Sequence, residues 1–127
     1  MAAAARGARV TAVEGDRVAA ADLAANAATD GAVYAVHQSV EAYFDSVRDR
    51  PTPTIIVDPP RTGLSREALD GICRRGASRI VYVSCDVATL ARDTRRIVDG
   101  GYTLVQLDAF DLFPNTPHVE TVTVFQM

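Results

Sequence analysis

The period of the hydrophobic pattern changes repeatedly along this chain, from two residues to between three and four and back. Short apolar, β-rich runs at 8–14, 33–36, 55–57, 79–84, 102–108 and 119–125 predict strands. Between them, segments at 16–28, 39–49, 65–74 and 86–98 carry helical spacing. Asp16 and Asp86 stand as N-caps, each offering a carboxylate to the first free amides of a helix. Residues 2–5 read as the end of a further helix, with Gly7 as its C-cap. The last two strands follow one another without a helix, through the loop FDLFPNTPH, so at least one should run antiparallel. The order β-α-β-α-β-α-β-α-β-β predicts an α/β fold with a doubly wound sheet. Its continuous apolar runs, TIIV and RIVYV, predict strands buried on both faces. Ligands in such sheets sit at the carboxyl ends of the strands. That rule selects Glu14, Asp58 and Cys85.

Composition narrows the class. With 127 residues, 48% hydrophobic and 23% charged, the chain is sized for a domain with a core and is neither a linker nor a disordered tail. No apolar run approaches the roughly 18 residues of a membrane span, so no membrane association is expected. MAAAAR at the start is too short an apolar stretch for a secretory leader. Two cysteines form no disulfide framework, no CxxC and no metal-ligand spacing; the expectation is a cytoplasmic protein with no metal. A net charge of −3 excludes a surface that grips nucleic acid all over, yet leaves room for a local basic face. All 13 positive charges are arginine, and alanine crowds the first 28 residues. A GC-rich genome accounts for both, although arginine also suits phosphate recognition.

Each candidate residue admits a plain reading beside a chemical one. Glu14 ends the first strand, where an acid either is solvated or bonds the hydroxyls of a ribose. Asp58-Pro59-Pro60 is either a tight turn before a helix or a rigid acidic strand end that positions a ligand. Cys85 leaves an apolar strand just before a helix, where free amides and the dipole favour a thiolate; the alternative is an inert buried thiol. Cys73 lacks that context and reads as packing. Glu120 enters an otherwise apolar final strand and must be exposed, paired or a base, while His118 reads as a loop residue. Arg92, Arg95 and Arg96 share a helix face that either meets phosphate or is solvated and balanced by Asp93 and Asp99.

Taken together, VEGD (13–16), IIVDPPRTG (55–63), IVYVSCDVATLARD (80–93), GGY (100–102) and FPNTPHVETV (113–122) resemble the S-adenosylmethionine-dependent RNA 5-methyluridine methyltransferases. The resemblance covers nearly the whole chain, in order. It implies a Rossmann-like class I methyltransferase sheet with an antiparallel C-terminal strand. It further implies methyl transfer from S-adenosylmethionine to C5 of a uridine in tRNA or rRNA. Cys85 would add to C6 of the ring, making C5 nucleophilic, and Glu120 would remove the C5 proton. Glu14 would bind the cofactor ribose, Asp58 would lie near the reacting centre, and Ser39 falls where the family contacts the adenine. The target uridine must leave its stack to enter such a site.

Two departures stand out. Asp86-Val87 occupies the place where the family usually has Asn-Pro, which sets a negative charge beside the thiol. The family's first strand, its glycine-rich loop and its RNA-binding N-terminal regions have no counterpart, so residues 1–127 are expected to be an N-terminally truncated catalytic domain. The first strand is central in such sheets. Four or five buried side chains at about 1.5–3 kcal/mol each rival a net stability of roughly 5–15 kcal/mol. Marginal stability and weak cofactor binding are therefore expected of the chain alone. A partner supplying the missing part, a non-catalytic remnant that binds RNA or a partner subunit, and a methyltransferase of another substrate class are the alternatives.

Overall fold

The computed structural model describes residues 6–29, 31–47, 52–112, 114–116 and 119–127. Six strands and four helices follow in the order β1 (Val10–Glu14), α1 (Arg17–Ala27), β2 (Val33–His37), α2 (Val40–Ser46), β3 (Thr54–Val57), α3 (Arg66–Arg75), β4 (Arg79–Ser84), α4 (Val87–Asp99), β5 (Thr103–Phe110) and β6 (Glu120–Gln126). They form two compact units, Met1–Val47 and Arg48–Met127.

In the first unit β1 and β2 pair in parallel, from Val10 opposite Val33 to Glu14 opposite His37. The connection between them is α1. Its N-cap, Asp16, accepts from the amides of Val18 and Ala19, both at 2.9 Å. Alanine-rich α1 buries only Ala20 and Ala27, and α2 buries only Phe44. Such small side chains make a thin core, and Tyr34 remains 71% exposed. The expected helix at 39–49 is shorter than its pattern: α2 ends at Ser46, and residues 48–50 lie outside the described residues. The helix expected at 2–5 also lies outside them, whereas Gly7 has the left-handed φ of +85°.

The second unit is a four-stranded sheet in the order β3-β4-β6-β5. β3 and β4 are parallel, and β6 runs antiparallel to both of its neighbours, as the helix-free connection predicts. Ile55, Ile80 and Phe125 form one cross-strand row and Val57, Tyr82 and Thr123 the next on the same face. Ile80, Tyr82, Thr123 and Phe125 are fully buried there. The helices supply Ala68, Leu69 and Ile72 from α3 and Leu90 and Ile97 from α4. Gly76, at φ +60°, ends α3 with its amide on the Cys73 carbonyl.

The expectation that TIIV and RIVYV are buried on both faces does not hold within this chain. Burial alternates: Ile55 is 8% exposed and its neighbour Ile56 61%. The opposite face, carrying Ile56, Val81, Val83, Val122 and Val124, is exposed or half-buried. A run of apolar residues states only what a strand tolerates; burial on the second face needs a layer above it.

Candidate active site at the strand ends

Three of the candidate residues meet at one edge of the second unit. β3 and β4 run parallel, so their C-terminal ends share an edge, and antiparallel β6 begins there. Asp58 follows β3 directly, Cys85 follows β4, and Glu120 is the first residue of β6. The β4–β6 ladder ends with Ser84 opposite Thr121. Cys85 and Glu120 are the residues next to that last pair, at the same edge, and both are half-buried. Asp58 is exposed at the head of its loop.

Hydrogen bonds fix the backbone around Cys85. The Thr121 hydroxyl donates to the Ser84 carbonyl at 3.1 Å, locking the end of the ladder. The Asp86 amide donates to the Ser84 hydroxyl at 3.1 Å, and that hydroxyl donates to the Asp86 carbonyl at 2.9 Å. Asp86 then caps α4, its Oδ1 accepting from the Thr89 amide at 2.8 Å and the Thr89 hydroxyl at 3.1 Å. These bonds, amide first, hold Asp86 below the usual carboxylate range, and the Arg61 guanidinium adds a smaller push in the same direction. The departure from the family's Asn-Pro thus keeps the cap and adds a charge, faced by an arginine from the β3–α3 loop.

Glu14 and Ser39 lie together in the first unit, at the shared C-terminal edge of β1 and β2. The Gln38 amide donates to the Glu14 carbonyl at 3.1 Å, tying the two strand ends together. Oε1 of half-buried Glu14 accepts from the Asp16 amide at 2.7 Å, which orients the carboxylate over this turn. Exposed Ser39 uses its hydroxyl as the cap of α2, accepting from the Ala42 amide at 3.2 Å. A Cβ on Gly15 would lie 3.6 Å from the Gln38 carbonyl oxygen and the Ser39 Cα, ordinary contact distances.

Of the remaining candidates, those among the described residues are engaged in packing or ion pairs. Burial, reinforced by Asp70, pushes the Cys73 thiol up, and a Cβ on Gly100 would come within 2.6 Å of its sulfur; Cys73 is packing, as expected. Arg95 pairs with Asp99 at 3.1 Å and Arg96 with Asp70 at 3.1 Å, so this face is balanced internally. His118 lies outside the described residues. A cavity of about 520 Å³ between α3 and α4 is lined by Arg66 and by the candidate face Arg92, Arg95 and Arg96, and by none of Glu14, Ser39, Asp58, Cys85 and Glu120. Among the described residues, no group of three or more His, Cys, Asp and Glu is arranged to hold a metal ion. No described helix is long and apolar enough to cross a membrane.

Sequence reasoning misplaced one acid. Asp93 is not a surface counter-charge: it is fully buried, accepting from the Leu64 amide at 2.9 Å and the Tyr82 hydroxyl at 2.6 Å. The signal was available, since Leu90, Asp93 and Ile97 occupy the i, i+3, i+7 positions of the buried stripe of α4.

The family model described as tRNA (Uracil-5-)-methyltransferase matches residues 12–127. The chain belongs to this family. An uncharacterized RNA methyltransferase of Thermotoga maritima is 43% identical over 116 residues, covering 90% of this chain and 26% of the relative. The 23S rRNA (uracil(1939)-C(5))-methyltransferase RlmD of Pseudomonas entomophila is 50% identical over 72 residues, 57% of this chain and 16% of its own length. Among solved structures, the Pyrococcus abyssi tRNA (uracil-54, C5)-methyltransferase in complex with S-adenosyl-L-homocysteine superposes with a TM-score of 0.82 and 32% identity. That match covers 96% of this chain and 30% of the other. The precorrin-6y C5,15-methyltransferase of Geobacter metallireducens, at 19% identity and a TM-score of 0.68, shares the fold alone. The fold is thus the Rossmann-like sheet of class I methyltransferases, with the antiparallel C-terminal strand expected. The chain spans about a quarter of the length of the first relatives it matches.

Proposed function

We propose that this chain is the C-terminal part of the catalytic domain of an RNA uracil-C5 methyltransferase, acting on a uridine of tRNA or rRNA. The observation that carries the reading is that Cys85 and Glu120 each adjoin the Ser84–Thr121 pair that ends the β4–β6 ladder, at one edge of the sheet. Uracil C5 is a poor nucleophile, and the arrangement answers that difficulty with two groups on one edge. The Cys85 thiolate forms an S–C6 bond, which pushes the ring electrons toward O4 and makes C5 carbanion-like. C5 then acquires the methyl group. Glu120 takes the C5 proton, the C5–C6 double bond re-forms, and the S–C6 bond breaks to return the thiolate. Addition needs a group that can attack and leave again, and proton removal needs a separate base beside it. A cysteine and a carboxylate on neighbouring strands fill both roles.

S-adenosylmethionine, when bound, supplies an electrophilic methyl group. The donor set fits it. Glu14 presents a carboxylate, already oriented through Oε1, of the kind that accepts from a ribose diol at a strand end. Ser39 stands beside it for the adenine. The partial span is in keeping with the edges of the sheets: among the described residues β1 pairs with β2 alone, and β3 ends its sheet. Each has a side open to a further strand from the rest of the protein.

The test uses RNA carrying 5-fluorouridine, incubated with S-adenosylmethionine and the full-length protein. Fluorine at C5 is not removed as a proton is, so the enzyme should remain covalently attached through Cys85, seen as a shifted band that Cys85→Ser abolishes. No adduct, under conditions where a full-length relative forms one, would overturn the reading.

A further inference from the structure

The buried carboxylate of Asp93 takes no part in the chemistry above, yet both of its oxygens are engaged. Oδ1 receives Nε of Arg92 at 2.8 Å and Nη2 at 2.7 Å. Oδ2 receives the Leu64 amide at 2.9 Å and the Tyr82 hydroxyl at 2.6 Å. Arg92 continues the network, donating through Nη2 to the carbonyls of Thr62 at 3.1 Å and Leu64 at 3.2 Å. The partners come from three places: the loop after Asp58, the middle of β4, and α4 itself. Between Asp58 and this clamp lie two prolines and a turn closed by the Gly63 amide on the Pro60 carbonyl at 2.8 Å. Gly63 sits at φ +73°, and a Cβ there would come within 2.6 Å of both Asp93 Oδ2 and Arg92 Nη2.

Simple packing does not require this. Apolar side chains of similar volume hold a helix on a sheet at least as well as a buried charge. A carboxylate saturated by an amide, a phenol and a guanidinium adds fixed spacing between the groups it joins. At one end is the loop headed by Asp58. At the other is α4, whose N-cap Asp86 adjoins Cys85 about 10 Å, two turns, up the helix. Tyr82 closes the frame, since its backbone pairs with Val57 immediately before Asp58.

We propose that Asp93 is a positioning residue that holds the Asp58–Leu64 loop at a fixed distance from Cys85, with Arg92 as its second arm. The proposal rests on the reading of Cys85 and Asp58 given above. Asp93 touches neither the ring nor the cofactor; it acts through the loop.

The test compares the full-length protein with its Asp93→Asn and Arg92→Gln variants by amide hydrogen exchange and by steady-state kinetics on uridine-containing RNA. Arg92 has a half-exposed side chain, so its variant should fold even where Asp93→Asn does not. Either folded variant should lose exchange protection at Thr62–Leu64 while β4 and α4 keep theirs. The KM for S-adenosylmethionine should rise about tenfold or more, the scale on which small misplacements act. The alkylation rate of Cys85 by iodoacetamide should stay within twofold. Unchanged loop protection, or a loosened loop with an unchanged KM, would overturn the positioning role. Cys85→Ser is run in parallel: full activity in that variant would fell the reading of the site itself, whatever Asp93 does.

Discussion

Cys85 and Glu120 each adjoin the Ser84–Thr121 pair that ends the β4–β6 ladder, so both lie at the same edge of the sheet. In the proposed cycle one group attacks C6 and the other deprotonates C5, so removing the base should stall the cycle after methylation. Glu120→Gln in the full-length protein is therefore expected to accumulate a covalent adduct with unmodified RNA. Turnover should fall by about 10²–10⁴, the usual contribution of a general base. Denaturing gels of RNA incubated with each variant check this, and full turnover by Glu120→Gln would remove Glu120 from the mechanism.

Asp86 caps α4 while placing a negative charge next to Cys85. Asparagine caps a helix about as well as aspartate, so Asp86→Asn should keep the helix and remove only the charge. The same residue sets an acid limit. Its carboxyl is held below the ordinary value of 3.8, so its contribution is present above that value and is lost as pH falls through the lower folded one. Melting temperatures of the two proteins should be alike near neutral pH and separate in the acid range, the Asp86 protein losing stability as its carboxylate protonates, and a pH-independent difference would contradict this.

Tyr82 supplies the alkaline counterpart. Burial, followed by its bond to Asp93, pushes its phenol well above the ordinary value of 10.0. A raised acid binds its proton longer in the folded state, so stability is level below pH 10 and falls as pH rises beyond it. Burial raises Tyr102 as well. Tyr82→Phe should therefore make the alkaline decline shallower without abolishing it. Denaturant midpoints measured at successive pH values decide, and an unchanged slope would count against the network.

How much of this was legible in the sequence depends on the range of the interaction. Strand ends and caps are local, and Asp16 and Asp86 cap the helices for which their positions marked them. The register that brings Glu120 to the same edge as Cys85 is non-local, because 35 positions separate them along the chain and only strand pairing joins them. The family motifs supplied that pairing of roles; periodicity alone did not. Asp93 was misread because its charge weighed more than its place in the stripe of Leu90 and Ile97. A buried acid announces itself through its donors, and those come from Leu64 and Tyr82, remote in sequence. Ile56 was misread for the complementary reason: the chain states the apolar face but not what lies over it.

That apolar face has a measurable consequence. Ile56 is 61% exposed, and its cross-strand neighbours on the same face, Val81 and Val124, are half-buried. Contiguous apolar surface of this kind associates with partners or dyes. The 127-residue chain by itself should bind a hydrophobic reporter dye strongly and S-adenosylmethionine weakly. The full-length protein should do the reverse, with calorimetry reporting the cofactor. Tight cofactor binding by the isolated chain would refute the proposal that it is one part of a larger catalytic domain.

Gly63 and Gly7 separate backbone strain from close approach. Both have positive φ, +73° and +85°, so alanine at either should cost about 1–2 kcal/mol of left-handed strain. Around Gly7 nothing lies within 4 Å of an added Cβ, so strain is the whole cost there. At Gly63 the same atom meets Asp93 and Arg92 at 2.6 Å and Thr89 at 3.2 Å. The clamp has no slack, because both carboxylate oxygens are already bonded. Gly63→Ala should therefore lose about 1–3 kcal/mol more than Gly7→Ala, the usual cost of overpacking a well-filled site. Equal losses in denaturant titrations would mean that the loop yields freely, and a loop that yields cannot hold Asp58 at a fixed distance from Cys85.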